Sequence, residues 1–173
     1  VGTYLETRFT GGKLSVKVSE TGTSYYNVFV DGKLHKVVKV CGTDTLIHLV
    51  SGIDKRIHSL KIQKRSEGEF GKTTVHQFVL SGSGCLAEEP AVRTRHIEFI
   101  GNSLTCGYGT DGKHRDEPFL VETENCNLTF ASMIARYYDA DYTLIAHSGR
   151  GAARNYGDSV RLSLIHISEP TRP

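Results

Sequence analysis

The stretch Arg95-His-Ile-Glu-Phe-Ile-Gly-Asn-Ser-Leu-Thr105 is where the chain changes character. His96–Ile100 is a short apolar run that reads as a buried strand, and it ends directly in Gly101. Downstream, Leu128, Ala131, Ile134, Ala135 and Tyr138 recur at helical spacing, which predicts a helix over about Asn125–Tyr138. Thr143–Ala146 is a second short apolar strand and runs into Ser148-Gly-Arg-Gly151. Strand, turn, helix, strand and glycine turn is the opening of an α/β domain with a parallel sheet. Sites in such sheets form beyond the carboxyl ends of the strands, so the two glycine turns are expected to face one site.

Upstream the texture is different. Leu14, Val16 and Val18 alternate with polar residues, the period of a half-buried strand. Tyr26, Val28 and Val30 repeat the pattern, and Asp31-Gly32 supplies a hairpin turn into Leu34. Runs at Leu46–Val50, Ile57–Ile62 and Thr74–Leu80 are separated by Gly- and Ser-containing punctuation. Six or seven short strands without a helical period predict a β-sandwich over 1–87. The stretch from Ser81-Gly-Ser-Gly84 to Glu88-Glu-Pro-Ala91 reads as a connector, with 88–94 as linker and 95–161 as the α/β part.

Composition sets the limits. The 173 residues suffice for one ordinary domain or two small ones, and 18 glycines with eight tyrosines and no tryptophan suit a turn-rich β protein. A net charge of +2, from 21 basic and 19 acidic residues, gives no reason to expect nucleic acid or an anionic membrane as partner. No apolar run approaches the roughly 18 residues of a membrane helix. The chain begins at Val1, so the lack of a leader peptide carries no information. Cys41, Cys85, Cys106 and Cys126 lack metal-ligand spacing; four buried thiols are expected, ahead of a Cys106–Cys126 disulfide.

The chemistry turns on Ser103. A serine hydroxyl needs a base to become a nucleophile and backbone donors for the oxyanion it creates. Ser103 begins a turn after a strand, so its hydroxyl would be exposed and its own amide could serve as one donor. Gly151, lacking a β-carbon, could supply a second. Spacing alone favours a plainer reading, in which Ser103 caps a helix and the glycines merely turn the chain.

Ile97-Glu-Phe-Ile-Gly-Asn-Ser-Leu-Thr-Cys-Gly-Tyr-Gly109 resembles the first signature block of SGNH (GDSL-type) hydrolases, and most closely that of the two-domain acetyl-polysaccharide esterases of the second carbohydrate-esterase family. Ile145-Ala-His-Ser-Gly-Arg-Gly-Ala-Ala-Arg-Asn-Tyr-Gly157 resembles that family's second block, while Phe9-Thr-Gly and Tyr26-Asn-Val-Phe-Val-Asp-Gly32 match its N-terminal sandwich. The resemblance implies a jelly-roll sandwich followed by the first part of a flavodoxin-like SGNH hydrolase domain. Ser103 would be nucleophile and oxyanion donor, and Gly151 the second donor, with Gly149 as second choice. Tyr108, Arg150 and Tyr156 would shape the sugar pocket. The family's usual aspartate before the serine is Asn102 here, which keeps the turn's hydrogen bonds and loses a charge. The implied substrate is an acetylated plant polysaccharide or oligosaccharide, the implied location secreted or periplasmic, and no cofactor or metal is called for.

The family's asparagine donor block and its late Asp-x-x-His base have no counterpart after Gly157. His35, His48, His58 and His76 lie in the sandwich, and His96 precedes the nucleophile strand. His114 sits in a charged loop and reads as solvated, and His147 reads as a packing residue. Leu162-Ser-Leu-Ile-His-Ile-Ser-Glu-Pro-Thr-Arg172 resembles the translation of a transposase adapter used in sequencing libraries. Residues 162–173 are therefore read as a non-native tail, His166 is given no role, and the fragment is expected to be inactive with an open sheet edge. Gly107-Tyr-Gly-Thr-Asp-Gly112 spells GxGxxG without a following helix, and the sequon Asn127-Leu-Thr129 falls inside the predicted helix; neither is given weight. Two other readings stand beside the esterase: a non-catalytic carbohydrate-binding protein, and a GDSL-type esterase or lipase acting on a non-sugar ester.

Overall fold

The computed structural model describes residues 1–152 and 154–159, so the expectation for 162–173 lies outside the described residues. The chain divides into two compact units, Thr3–Val92 and a second made of Val1–Gly2 with the residues from Arg93 on.

The first unit is β-rich. Strands β1 (Tyr4–Glu20), β2 (Thr23–Val30), β3 (Lys33–Cys41), β4 (Thr45–Lys64), β5 (Thr73–Ser81) and β6 (Cys85–Leu86) form one antiparallel sheet in the order β3-β2-β4-β1-β5, with β6 also on β1. The expected alternation buries Leu14, Val16 and Val18 of β1 and Val28 of β2 against Leu49, Val50, Leu60 and Ile62 of β4. Asp31 and Gly32 both take positive φ between β2 and β3, as a two-residue hairpin turn demands. Edge strand β3 carries Lys33, Lys36 and Lys39, charges that discourage edge-to-edge pairing.

Two features depart from the sequence reading. The runs Leu46–Val50 and Ile57–Ile62 are one strand, because Gly52, at φ +67°, bends β4 without ending it. Opposite it, β1 shifts register between Thr10 and Ser15, and the described strands of this unit are hydrogen-bonded into one continuous sheet through these two long strands. The thiols also differ: Cys106 and Cys126 are buried, but Cys41 and Cys85 are exposed because each sits at the margin of a strand.

In the second unit, β7 (His96–Gly101) pairs in parallel with β8 (Asp141–Ala146), from His96 opposite Asp141 to Gly101 opposite Ala146. Between them run a short helix α1 (Ser103–Cys106) and α2 (Phe130–Tyr137). Helix α2 buries Ala131, Ser132 and Ala135. It starts later than the periodicity suggests. Asn125 accepts from the Asn127 amide, and the Cys126 carbonyl takes the hydroxyls of Thr129 and Ser132, so Cys126–Leu128 forms a separate 3-10 turn. The sequon's Asn127 lies in that turn, its side chain accepting from Arg136 at 2.8 Å. No helix among the described residues is long and apolar enough to cross a membrane.

Candidate active site

The first turn is built on three residues with different tasks. Gly101 ends β7, and a β-carbon there would run into the hydroxyl of Thr105, which is buried. Asn102 takes extended backbone angles and its Oδ1 accepts from the Leu104 amide at 3.2 Å, which makes it the N-cap of α1. The plainer reading of Ser103 as the cap is thereby corrected: the residue before it does that work. Ser103 is the first helical residue; its carbonyl accepts from Gly107 and Tyr108, and its hydroxyl has no hydrogen-bond partner among the described residues. Gly107, at φ +82°, closes the helix, and its carbonyl accepts from the Asn125 amide at 2.9 Å. The GxGxxG stretch is thus a helix stop followed by tight turns, with Thr110 bonded to Gly107 and Gly112 to Gly109.

The second turn continues the ladder, His147 donating to the Gly101 carbonyl at 3.4 Å. That bond sets the ends of β7 and β8 side by side. Gly149 adopts φ +79°, and its carbonyl accepts from the Tyr156 amide at 2.8 Å. A β-carbon on Gly151 would meet the Arg154 carbonyl, so a close backbone approach explains this glycine. The Gly151 amide donates to Asn155 Oδ1 at 3.4 Å, a long bond, while Asn155 is buried and its Nδ2 donates to Asp158 at 3.1 Å.

These turns border one open cleft of about 840 Å3, within the size range of small-molecule sites. Ser103, Gly151, Tyr108, Arg150 and Tyr156 all line it, and so does Gly149. Asn102 and Ser148, which the sequence reading weighed only as turn residues, line it too, as do Arg154 and Asn155, to which that reading gave no role. Asn155 could have been found from its spacing, four residues after a glycine whose amide needs an acceptor. No histidine lines the cleft among the described residues. His147, whose Nδ1 lies 2.8 Å from the Ser148 carbonyl, is not among the lining residues.

Serine and histidine do meet in the β unit. Ser19 Oγ lies 2.8 Å from His76 Nε2, but the Asp44 carboxylate approaches that same nitrogen at 3.8 Å. A triad needs the carboxylate on the other ring nitrogen, so this is a surface network. Ser15 and His48 are 3.3 Å apart, and burial, then Lys13 and Lys36, push the imidazole below its ordinary range.

Comparison with known proteins adds the following. Residues 1–90 match the family model described as carbohydrate esterase 2 N-terminal. The cellulase/esterase CelE of Acetivibrio thermocellus is 35% identical over 156 residues, covering 90% of this chain and 19% of that protein. An acetylxylan esterase/glucomannan deacetylase of Cellvibrio japonicus is 31% identical, covering 95% of this chain and 45% of its own length. A family two carbohydrate esterase from Clostridium thermocellum, solved with cellohexaose, superposes with a TM-score of 0.88 at 34% identity, over 95% of this chain and 50% of that one. The chain thus spans half or less of the length of these relatives.

Proposed function

The chain belongs to the carbohydrate esterase 2 family, and from that premise we propose that the Ser103 cleft is the acyl-transfer site of an SGNH-type esterase that removes O-acetyl groups from plant polysaccharides outside the cell. One observation carries the reading: Ser103, relieved of capping by Asn102, shares a cleft with the Gly149–Gly151 turn at the carboxyl ends of two adjacent parallel strands. Ser103 Oγ attacks the acetyl carbonyl while a general base takes its proton. The sugar oxygen leaves with that proton, and water then releases acetate from the serine ester. The Ser103 and Gly151 amides stabilise the oxyanion, the latter by exchanging its long bond to Asn155 for one to substrate. Tyr108, Arg150 and Tyr156 bound the space for the sugar.

The base comes from outside the described residues in this reading, since no histidine among them lines the cleft. In this reading the described residues supply the nucleophile and the oxyanion donors without the base. Hydrolysis of p-nitrophenyl acetate should equal that of a Ser103→Ala control, and Ser103-dependent turnover would show that a histidine of this chain serves it. Extending the native reading frame should reveal a Gly-x-Asn-Asp-like block and a late Asp-x-x-His; an unrelated continuation would sink the esterase reading. The same lack of a lining histidine favours a second reading, a carbohydrate-binding protein with no catalysis. Turnover that appears once the native continuation is restored, and disappears with Ser103→Ala, separates the two.

A further inference from the structure

Tyr108 stands five residues after Ser103, and its amide is tied to the Ser103 carbonyl at 3.1 Å. Its ring lies against Phe119 with centroids 3.7 Å apart and planes within 11°. Phe119 thus backs one face of the Tyr108 ring, and the rest of the half-exposed tyrosine is left to the surrounding space. Tyr108 is half exposed and lines two spaces at once: the Ser103 cleft and a neighbouring hollow of about 310 Å3 that Phe119, His114, Arg115 and Glu117 also line. The wall of that hollow is braced. Glu117 accepts from the Lys113 amide at 2.6 Å, its own amide donates to the His114 carbonyl, and the Asp111 amide donates to the Thr123 carbonyl.

We propose that the Tyr108–Phe119 stack carries a second sugar subsite, which holds a neighbouring ring of the same polysaccharide chain whose acetylated ring occupies the Ser103 cleft. The inference rests on the acyl-transfer reading of that cleft and adds a determinant of chain-length preference. The chemistry of the hollow selects the ligand. An aromatic face is electron-rich and receives the C–H face of a pyranose, while a few polar side chains at the rim meet its hydroxyls. Lys113 and Arg115 are offset by Asp111, Asp116 and Glu117, so no net positive charge invites an anion. A polymer bound at Ser103 must leave the cleft past its walls, and Tyr108 is the wall that the two spaces share.

The test titrates the 173-residue chain with xylo- and cello-oligosaccharides of increasing length, following the amide signals of Gly109 and Gly112 by NMR. A stacking platform should add about three- to tenfold in affinity at the length that first reaches it, with those two signals moving only from that length onward. Phe119→Ala and Phe119→Leu should flatten the length dependence, and Phe119→Tyr should retain it. A Phe119→Leu ladder as steep as that of the parent chain would overturn the subsite, as would signals of Gly109 and Gly112 that ignore chain length. Should Phe119→Ala fail to fold, the leucine and tyrosine variants still decide. Absence of binding by any oligosaccharide would overturn the carbohydrate reading of the cleft itself, a failure distinct from a flat ladder.

Discussion

Raising the pH should release a clamp that His58 forms in the β unit, and its contacts set the size of the loss. The ring is buried on β4, packed near Phe9, with Nδ1 at 2.7 Å from Asp31 and Nε2 at 3.0 Å from Asp54. Carboxylates only accept, so both ring nitrogens must donate, and only the imidazolium carries two N–H groups. The bond to Asp31, aided by the bond to Asp54 and opposed by burial, holds the imidazole above its ordinary range. Asp31 is lowered by His58 and the Ser59 amide, and Asp54 falls to about 2, first through the Arg56 amide and then through His58.

The signs follow from these directions. The histidine's contribution is fully present below its unfolded value of 6.5 and is lost as pH rises through the higher folded value. The aspartates contribute above their unfolded value of 3.8 and lose it as pH falls through their depressed folded values. Stability from the clamp is therefore greatest between those two unfolded values. A charge-assisted bond contributes roughly 1.5–3 kcal/mol, but Asp31 is half exposed, so about 1 kcal/mol remains for that bond after screening. With a urea slope of about 2 kcal/mol/M, the midpoint should fall by about half a molar between roughly pH 6 and pH 9. Tyrosine fluorescence can follow the transition, with His58→Gln as reference. His48, whose lowered value works in the opposite direction, is present in both proteins and cancels in the difference. A difference between parent and variant that stays constant over that range would refute the reasoning.

The glycine turns and their caps give further tests by thermal melting. Gly101→Ala should cost about 1–3 kcal/mol because the new methyl meets buried Thr105, whereas Gly149→Ala meets nothing within 4 Å and should cost only the left-handed strain of about 1 kcal/mol. Asn102→Ala should lose about 1 kcal/mol with its cap to Leu104, while Asn102→Asp keeps the acceptor and should be near neutral. Asn155→Ala removes the acceptor of the Gly151 amide and a partner of Asp158 together. It should destabilise by about 1 kcal/mol and shift the Gly151 amide signal; an unmoved signal would count against Asn155 as its anchor.

Much of the β unit was legible because alternation is a local signal: Leu14, Val16 and Val18 announce a half-buried strand without knowing their partners. Whether Ser51-Gly52 ends a strand or bends it was not legible, since that depends on the matching register shift in β1, some 40 residues away in sequence. The start of α2 was misplaced for a related reason. Leu128 continues the apolar period, yet Asn125 and Thr129 divert the local hydrogen bonds into a separate turn. The His58 clamp could not be read at all, because its stronger partner, Asp31, comes from another hairpin.

Strand ends, where parallel sheets expose backbone, and the resemblance together pointed to Ser103 and Gly151, and the structure brings both to one cleft. What only the structure supplies is the division of labour around the serine. Gly101 admits Thr105, Asn102 caps α1, and Gly107 closes it. Each of these three residues has a structural reason that would survive the loss of any activity. The Ser103 hydroxyl has none among the described contacts, although Ser103 lines the same cleft as Gly149 and Gly151. A fold that satisfies its own turn with the surrounding residues leaves this hydroxyl available to a ligand. That available hydroxyl is what supports the proposed role of Ser103, whereas Gly101, Asn102 and Gly107 are accounted for by the turn itself.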